Sequence, residues 1–315
     1  MVCELVFSNL TFDRVISAVE DVVGERFSNL CLQRNSYINR VYELETLDKE
    51  RLIVKFYRPK RWTKEMILTE HDFLLTSFDN GIPVIPPYIF DDESLFFYQA
   101  IPFAIFPKKG GRPIDELSPE LWQETGRLIG RIHELGRQAI VNDRTIWRPS
   151  IATRAHLDTL IRFDVVPEEL IEKFYNGASH FIEKNDPLFD SIDLFLIHGD
   201  CHFGNLIYRP EESLYIVDFD DCVIGPAIQD LWMLLPESVD DCEQEIALFK
   251  EGYNLFSSFP DHELALIPTL SLMRQIHFAA WCAIQCHEPQ FKASFPQWGD
   301  SVYWRALVRE LYATK

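Results

Sequence analysis

Paired cysteine motifs are missing. The seven cysteines (Cys3, Cys31, Cys201, Cys222, Cys242, Cys282 and Cys286) are odd in number, scattered, and include no Cys-x-x-Cys pair. That usage argues against a disulfide framework and for a reducing compartment. Cys282, Cys286 and His287 stand close together, but the two cysteines are one helical turn apart in an apolar run, the pattern of a packed helix rather than a metal site. Uninterrupted apolar runs of about 18 residues are also absent. The chain opens Met-Val-Cys-Glu with no basic stretch leading into an apolar one, so the expectation is a soluble cytoplasmic protein. Positive charge is scarce: 30 Lys and Arg face 49 Asp and Glu, a formal net charge of −19. Such a surface repels nucleic-acid backbones and anionic membranes, and neither is expected as a partner. The same acidity favours solubility and, secondarily, attraction of cations. There is no internal repeat and no low-complexity tract.

Apolar material is plentiful, at 47% hydrophobic with 24 Phe in 315 residues, and the length points to two lobes rather than one core. Residues 11 to 23 carry Phe12, Val15, Ile16 and Val19 at helical spacing after Thr11 as cap. From Phe27 to Tyr57 the period changes, and three antiparallel strands are expected around Leu30–Leu32, Val41–Leu44 and Leu52–Tyr57. Asn35-Ser36-Tyr37 falls in the first turn, a polar loop able to offer backbone N–H groups to a phosphate. Lys55 interrupts an apolar strand and so needs a partner. Glu70 is the candidate, on a helix expected from about Thr63 to Phe78. Tyr88–Phe90 and Leu95–Tyr98 read as a further hairpin. Phe103–Gly111 reads as an extended segment ending at a glycine pair, which sets a lobe boundary of 1–106 and 107–315. Beyond it the pattern is helical, beginning at Leu117–Gln138 with Ser118 and Pro119 at its start. His133 on that helix reads as structural.

The densest chemistry lies in His198-Gly199-Asp200-Cys201-His202-Phe203-Gly204-Asn205, followed by Val217-Asp218-Phe219-Asp220-Asp221. Between them, Leu206–Tyr208 and Leu214–Val217 make a hairpin that can return Asp218 to Asn205. A carboxylate, an amide five positions on and a second carboxylate suit metal-assisted phosphoryl transfer. Asp200 would take the proton of an attacking hydroxyl, while Asn205 and Asp218 would hold Mg²⁺. His202 is the rival base, since histidine titrates near neutrality. His198 would brace the loop, and Asp230, near the start of a helix, would favour its dipole or hold loop N–H groups.

These segments, together with Asn35–Tyr42, Val54–Pro59, Arg61-Trp62-Thr63 and Gly225–Leu235, give the chain a close resemblance to the aminoglycoside-phosphotransferase-like kinases over nearly its whole length. The resemblance implies an α+β, two-lobed protein-kinase-like fold with a small antiparallel-sheet N-lobe that binds nucleotide. The C-lobe would be mainly helical and carry catalysis and the acceptor. It implies ATP as co-substrate, Mg²⁺, catalytic roles for Asp200 and Asp218, metal ligands at Asn205 and Asp218, and nucleotide contacts at Ser36, Lys55 and Glu70. A monomeric serine/threonine protein kinase of a stress response is the implied activity; a small-molecule hydroxyl kinase of aminoglycoside, choline or homoserine type is the alternative. Two departures from ordinary protein kinases stand out: no G-x-G-x-x-G covers the phosphates, and Asp220 occupies the glycine position of D-F-G.

Overall fold

Burial alternates through Arg51–Phe56 as a half-buried strand requires, with Leu52, Val54 and Phe56 inside. In the computed structural model, which describes residues 7–288 and 291–313, the strands are β1 Phe27–Arg34, β2 Arg40–Thr46, β3 Arg51–Phe56, β4 Phe96–Tyr98, β5 Ile101–Pro107, β6 Arg112–Pro113, β7 Phe195–Ile197, β8 Leu206–Arg209, β9 Ser213–Ile216 and β10 Val223–Gly225. The helices used below are α1 Phe12–Val23, α2 Lys64–Asp79, α3 Pro119–Gln138, α4 Arg154–Phe163, α5 Ile171–Asn185, α6 Gln229–Trp232, α7 Glu243–Tyr253, α8 Ile267–Gln285, α9 Phe291–Ser294 and α10 Ser301–Ala313. Cys3 and the opening tetrapeptide lie outside the described residues. The chain divides into two compact units, one of residues 1–143, 200–222 and 244–258, the other of residues 144–199, 223–243 and 259–315.

The first unit is built on a five-stranded antiparallel sheet in the order β1-β2-β3-β5-β4. Its core gathers Val15 and Val19 of α1 with Leu44, Val54, Phe56, Phe103 and Ile105, and the rings of Phe56 and Phe103 stack at 5.0 Å. Burying each such side chain contributes about 1.5–3 kcal/mol. One expected pairing is different: Phe90 makes only an isolated bridge to Glu93, and β4 pairs with β5 instead. The cause is the run Ile101–Phe106, buried at every position. It needs neighbours on both edges and becomes an interior strand between β3 and β4.

Local signals set the helix starts. Thr63 accepts the Met66 N–H at 3.2 Å at the head of α2, and Ser118 accepts that of Leu121 at 3.4 Å, with Pro119 in the first turn of α3. α3 and α7 approach closely through glycines. A Cβ on Gly252 would lie 1.9 Å from the Gln123 carbonyl oxygen, and one on Gly126 would lie 2.0 Å from that of Phe249. His133, buried, pairs its Nδ1 with the Tyr253 hydroxyl at 2.9 Å, a structural role. The expected hairpin is β8–β9, pairing Leu206 with Ile216 and Tyr208 with Leu214. Glu124 of α3 anchors it by accepting the Leu214 N–H at 2.7 Å.

In the second unit β7 and β10 pair antiparallel, Ile197 opposite Val223. Leu160 of α4 and Leu270, Met273 and Ile276 of α8 are fully buried, as is Phe174 of α5, whose ring meets Trp304 of α10 edge-on at 5.5 Å. Cys282 of α8 is also fully buried, and burial pushes its thiol up to about 12, so it behaves as a core residue. Among the described residues no cysteine is in a disulfide, and no helix is long and apolar enough to cross a membrane.

Candidate active site

Lys55 is placed by β3, between Val41 of β2 and Ala104 of β5, with its stem among apolar neighbours and only 12% of the side chain exposed. Its ammonium donates to Asp218 Oδ1 at 3.0 Å and is also bonded to Asp220 Oδ1. Glu70 Oε1, from the buried face of α2, lies 3.6 Å away. The expected Lys55–Glu70 pair is therefore present, but the two aspartates are the closer partners. Burial pulls the ammonium's pKa down; Asp218, Asp220 and Glu70 outweigh that and hold it well above the ordinary lysine range.

The turn that carries those aspartates is strained. Asp218 has φ 66° and ψ 64° and leads into a single helical turn, Phe219–Asp221. A non-glycine residue in the left-handed region costs on the order of 1 kcal/mol or more and persists where its surroundings fix it. Here Phe219 is buried and its ring lies 6.0 Å from Phe73 on α2. Asp218 keeps 54% of its side chain exposed, whereas Asp220 shows 4%. Asp220 Oδ2 accepts from Asn39 Nδ2 at 2.6 Å, and Arg61 donates to both oxygens of Asp221 at 2.6 and 2.8 Å. The Asp220 carboxyl is raised by burial but lowered by more through Lys55, Arg61 and Asn39, ending below the ordinary range. For Asp218 the balance is reversed: Lys55 pulls its pKa down, but the neighbouring charges of Asp220 and Asp221 help to lift it above the ordinary range.

Asn205 is tied to both halves of the motif. Its Nδ2 donates to the Asp200 carbonyl at 2.9 Å, and its own carbonyl accepts the Val217 N–H at 2.9 Å, so the loop after Asp200 and the residue before Asp218 are joined through it. Asp200 shows 17% of its side chain, with His202 Nε2 3.6 Å from Oδ2. His202 Nδ1 accepts the Gly204 N–H at 3.0 Å and so helps hold the loop. In the second unit Asp230 accepts the N–H groups of His198 at 2.8 Å and Gly199 at 2.7 Å, the loop-holding role expected of it. Gly199 takes φ 80°, a conformation that favours glycine.

A cavity of about 310 Å³ lies within the first unit, lined by Ser36, Lys55, Glu70, Asp218, Asn39 and, on its apolar side, Ile53, Leu74, Phe106 and Ile207. Four of the expected site residues thus share one pocket. Asp200 and Asn205 do not line it and reach it through the chain and the hydrogen bonds just described. No group of three or more His, Cys, Asp or Glu able to hold a metal occurs among the described residues. The donor set nonetheless fits a hard divalent cation. Asp218 already carries a positive group, the Lys55 ammonium, and Asn205 commits its Nδ2 elsewhere, leaving a neutral oxygen for coordination. Magnesium in particular is held by one or two protein oxygens together with substrate phosphates and water.

Asp220, Asn39 and Arg61 escaped the sequence reading as site residues. Three acids around a buried phenylalanine, Asp218 before it and Asp220 and Asp221 after it, need cations nearby, and the arginines following β3 were the available signal.

The fold and this pocket define a phosphotransferase of the kinase type. Residues 32–265 match the phosphotransferase enzyme family, and the chain belongs to it. Stress response kinase A of Escherichia coli O157:H7 is 34% identical over 310 residues, 95% of this chain and 90% of that protein. The serine/threonine protein kinase RdoA of Salmonella typhimurium strain LT2 is 33% identical over 283 residues, 86% and 82% of the two chains. Among solved structures, an amicoumacin kinase in complex with AMP-PNP, Ca²⁺ and Ami superposes with a TM-score of 0.76 at 19% identity, covering 99% of this chain and 95% of that one. A microcompartment-associated aminopropanol kinase gives 0.70 at 18% identity, over 95% and 98%. The α+β kinase-like fold expected from the sequence is the one observed.

Proposed function

We propose that the protein is an ATP- and Mg²⁺-dependent kinase that transfers the γ-phosphate to Ser or Thr hydroxyls of protein substrates, in a stress response. The observation that carries the reading is the Lys55–Asp218 contact at 3.0 Å beside Ser36 and Glu70 in one cavity. It joins a phosphate-binding cation to a metal-binding carboxylate. The protein acceptor is supported by relatives named as stress response and serine/threonine protein kinases that match most of the chain. Residues 1–106 would serve the nucleotide, and residues 107–315 catalysis and the acceptor, in a cytoplasmic monomer.

In this reading Lys55 holds the α- and β-phosphates, Glu70 braces Lys55 and Ser36 meets the phosphates from its polar loop. Asn205 and Asp218 hold the Mg²⁺, which when bound supplies the positive charge that phosphoryl transfer needs. Asp200 orients the acceptor hydroxyl and takes its proton. Proton abstraction contributes about 10²- to 10⁴-fold to such reactions. Asp200→Asn should therefore lose turnover by about that factor, while His202→Ala keeps most of it. The reverse ranking in a steady-state assay would transfer the base role to His202.

A small-molecule hydroxyl acceptor is the second reading, favoured by the net charge of −19, which draws cationic substrates, and by fold neighbours that act on small molecules. Competition between amino alcohols and a protein acceptor for labelled phosphate separates the two.

A further inference from the structure

We propose that Asp220 is the principal positioning residue for the nucleotide-binding lysine, anchoring Lys55 and the Ser36 loop together from the turn after Asp218, with Glu70 of helix α2 as the more distant brace. The inference rests on the kinase reading above and concerns a residue that this reading leaves without a role.

Four contacts carry it. Asp220 is 3% exposed, and its Oδ1 is bonded to the Lys55 ammonium. Its Oδ2 accepts from Asn39 Nδ2 at 2.6 Å, and Asn39, itself 4% exposed, ends the loop that holds Ser36. Asn39 Oδ1 in turn accepts the Arg58 N–H at 3.1 Å. Arg61 Nη1 stands 4.0 Å from Asp220 Oδ2 and grips the adjoining Asp221. One buried carboxylate thus joins the strand lysine, the polar loop and the segment after β3. Glu70 is at ion-pair distance from Lys55, 3.6 Å, too long for a hydrogen bond.

The arrangement has a consequence for metal binding. A cation held by Asp218 would share that carboxylate with the Lys55 ammonium. Asp220 would supply the lysine with a second, buried negative partner that the cation does not compete for. Neither glycine nor asparagine at 220 could retain it in this way, and Lys55 would compete with the metal for Asp218. Control of the lysine by movement of a helix glutamate, as in protein kinases, has correspondingly little leverage here.

The test compares Asp220→Asn with Glu70→Gln in the full chain by metal-free binding of a fluorescent ATP analogue in EDTA, Mg²⁺ titration of activity, and thermal unfolding. Loss of a buried charged partner should weaken analogue binding and raise half-saturating Mg²⁺ by about 10-fold or more in Asp220→Asn. Glu70→Gln, whose carboxylate stands farther from the ammonium at 3.6 Å, should change both by less than Asp220→Asn does. A purely structural role would lower the melting temperature and the active fraction while the folded protein kept its affinities, and that result overturns the proposal. So does the opposite ranking of the two variants. Acylation of Lys55 by an amine-reactive probe, followed by mass spectrometry in the absence of nucleotide, gives an independent readout. It should quicken several-fold in Asp220→Asn and less in Glu70→Gln, and an unchanged rate in both contradicts the anchoring. If the wild type fails to bind the analogue both in EDTA and with Mg²⁺, the kinase reading falls, while the acylation ranking still decides the anchoring. Should Asp220→Asn not fold, Asn39→Ala removes one of the carboxylate's contacts and should weaken analogue binding by about 3-fold; no change there counts against the proposal.

Discussion

His156 and His277 stack with ring centroids 4.7 Å apart and 18° between planes, and Trp147 stands edge-on to both. Burial, with a smaller contribution from Arg274, lowers His156 to about 4. A group depressed in the folded state from about 6.5 contributes no penalty above pH 6.5, and stability is lost as the pH falls through 6.5 toward 4. From pH 7 to pH 5 this one residue should cost about 2 kcal/mol. Urea unfolding at the two pH values should show a smaller difference for His156→Gln than for the wild type; an equal difference would mean that the imidazole titrates normally. At this scale the sequence was informative wherever a residue broke its local pattern. Lys55 in an apolar strand and Asp218 at a strand end announced themselves, and both face the cavity. The partners of Asp220 did not, because Asn39 and Lys55 lie 181 and 165 positions away and only the assembled sheet brings them together.

Close backbone approach, together with the His133–Tyr253 and Gln123–Glu251 side-chain hydrogen bonds, joins α3 to α7. An added methyl on Gly252 would meet backbone at 1.9 Å, whereas one on Gly110 meets nothing within 4 Å. Gly252→Ala should destabilise by about 1–3 kcal/mol, and Gly110→Ala should stay within about 0.5 kcal/mol of the wild type. Both are read from the urea midpoint at constant slope; a neutral Gly252→Ala would mean the helices separate without cost. Elements were legible where period and caps agreed, as in β3, α2, α3 and the β8–β9 hairpin. The pairing of β4 was misread because Tyr88–Phe90 and Leu95–Tyr98 look like one hairpin locally. The burial of Ile101–Phe106 on both faces, which decides the pairing, belongs to the sheet as a whole.

For the whole molecule, ligand binding and stability are linked quantities. A nucleotide held only by the folded pocket stabilises by about 2.7 kcal/mol at a concentration one hundred times its dissociation constant. Mg²⁺ with ATP should therefore raise the melting temperature. Asp218→Asn should lose most of the metal-dependent part of that rise, and a full rise in the variant would place the metal elsewhere. Family membership was legible from motif order over most of the chain, because phosphoryl transfer constrains residue type and spacing together. The acceptor was not, since its recognition depends on a surface that no short motif encodes.

The most direct measurement offers labelled ATP and Mg²⁺ to a protein acceptor and a panel of small alcohols, side by side, with Asp200→Asn as control. Label is expected on Ser and Thr of the protein, with little on the alcohols, and transfer should fall in Asp200→Asn by about 10²- to 10⁴-fold. Label confined to a small alcohol, or transfer undiminished in Asp200→Asn, would contradict that expectation.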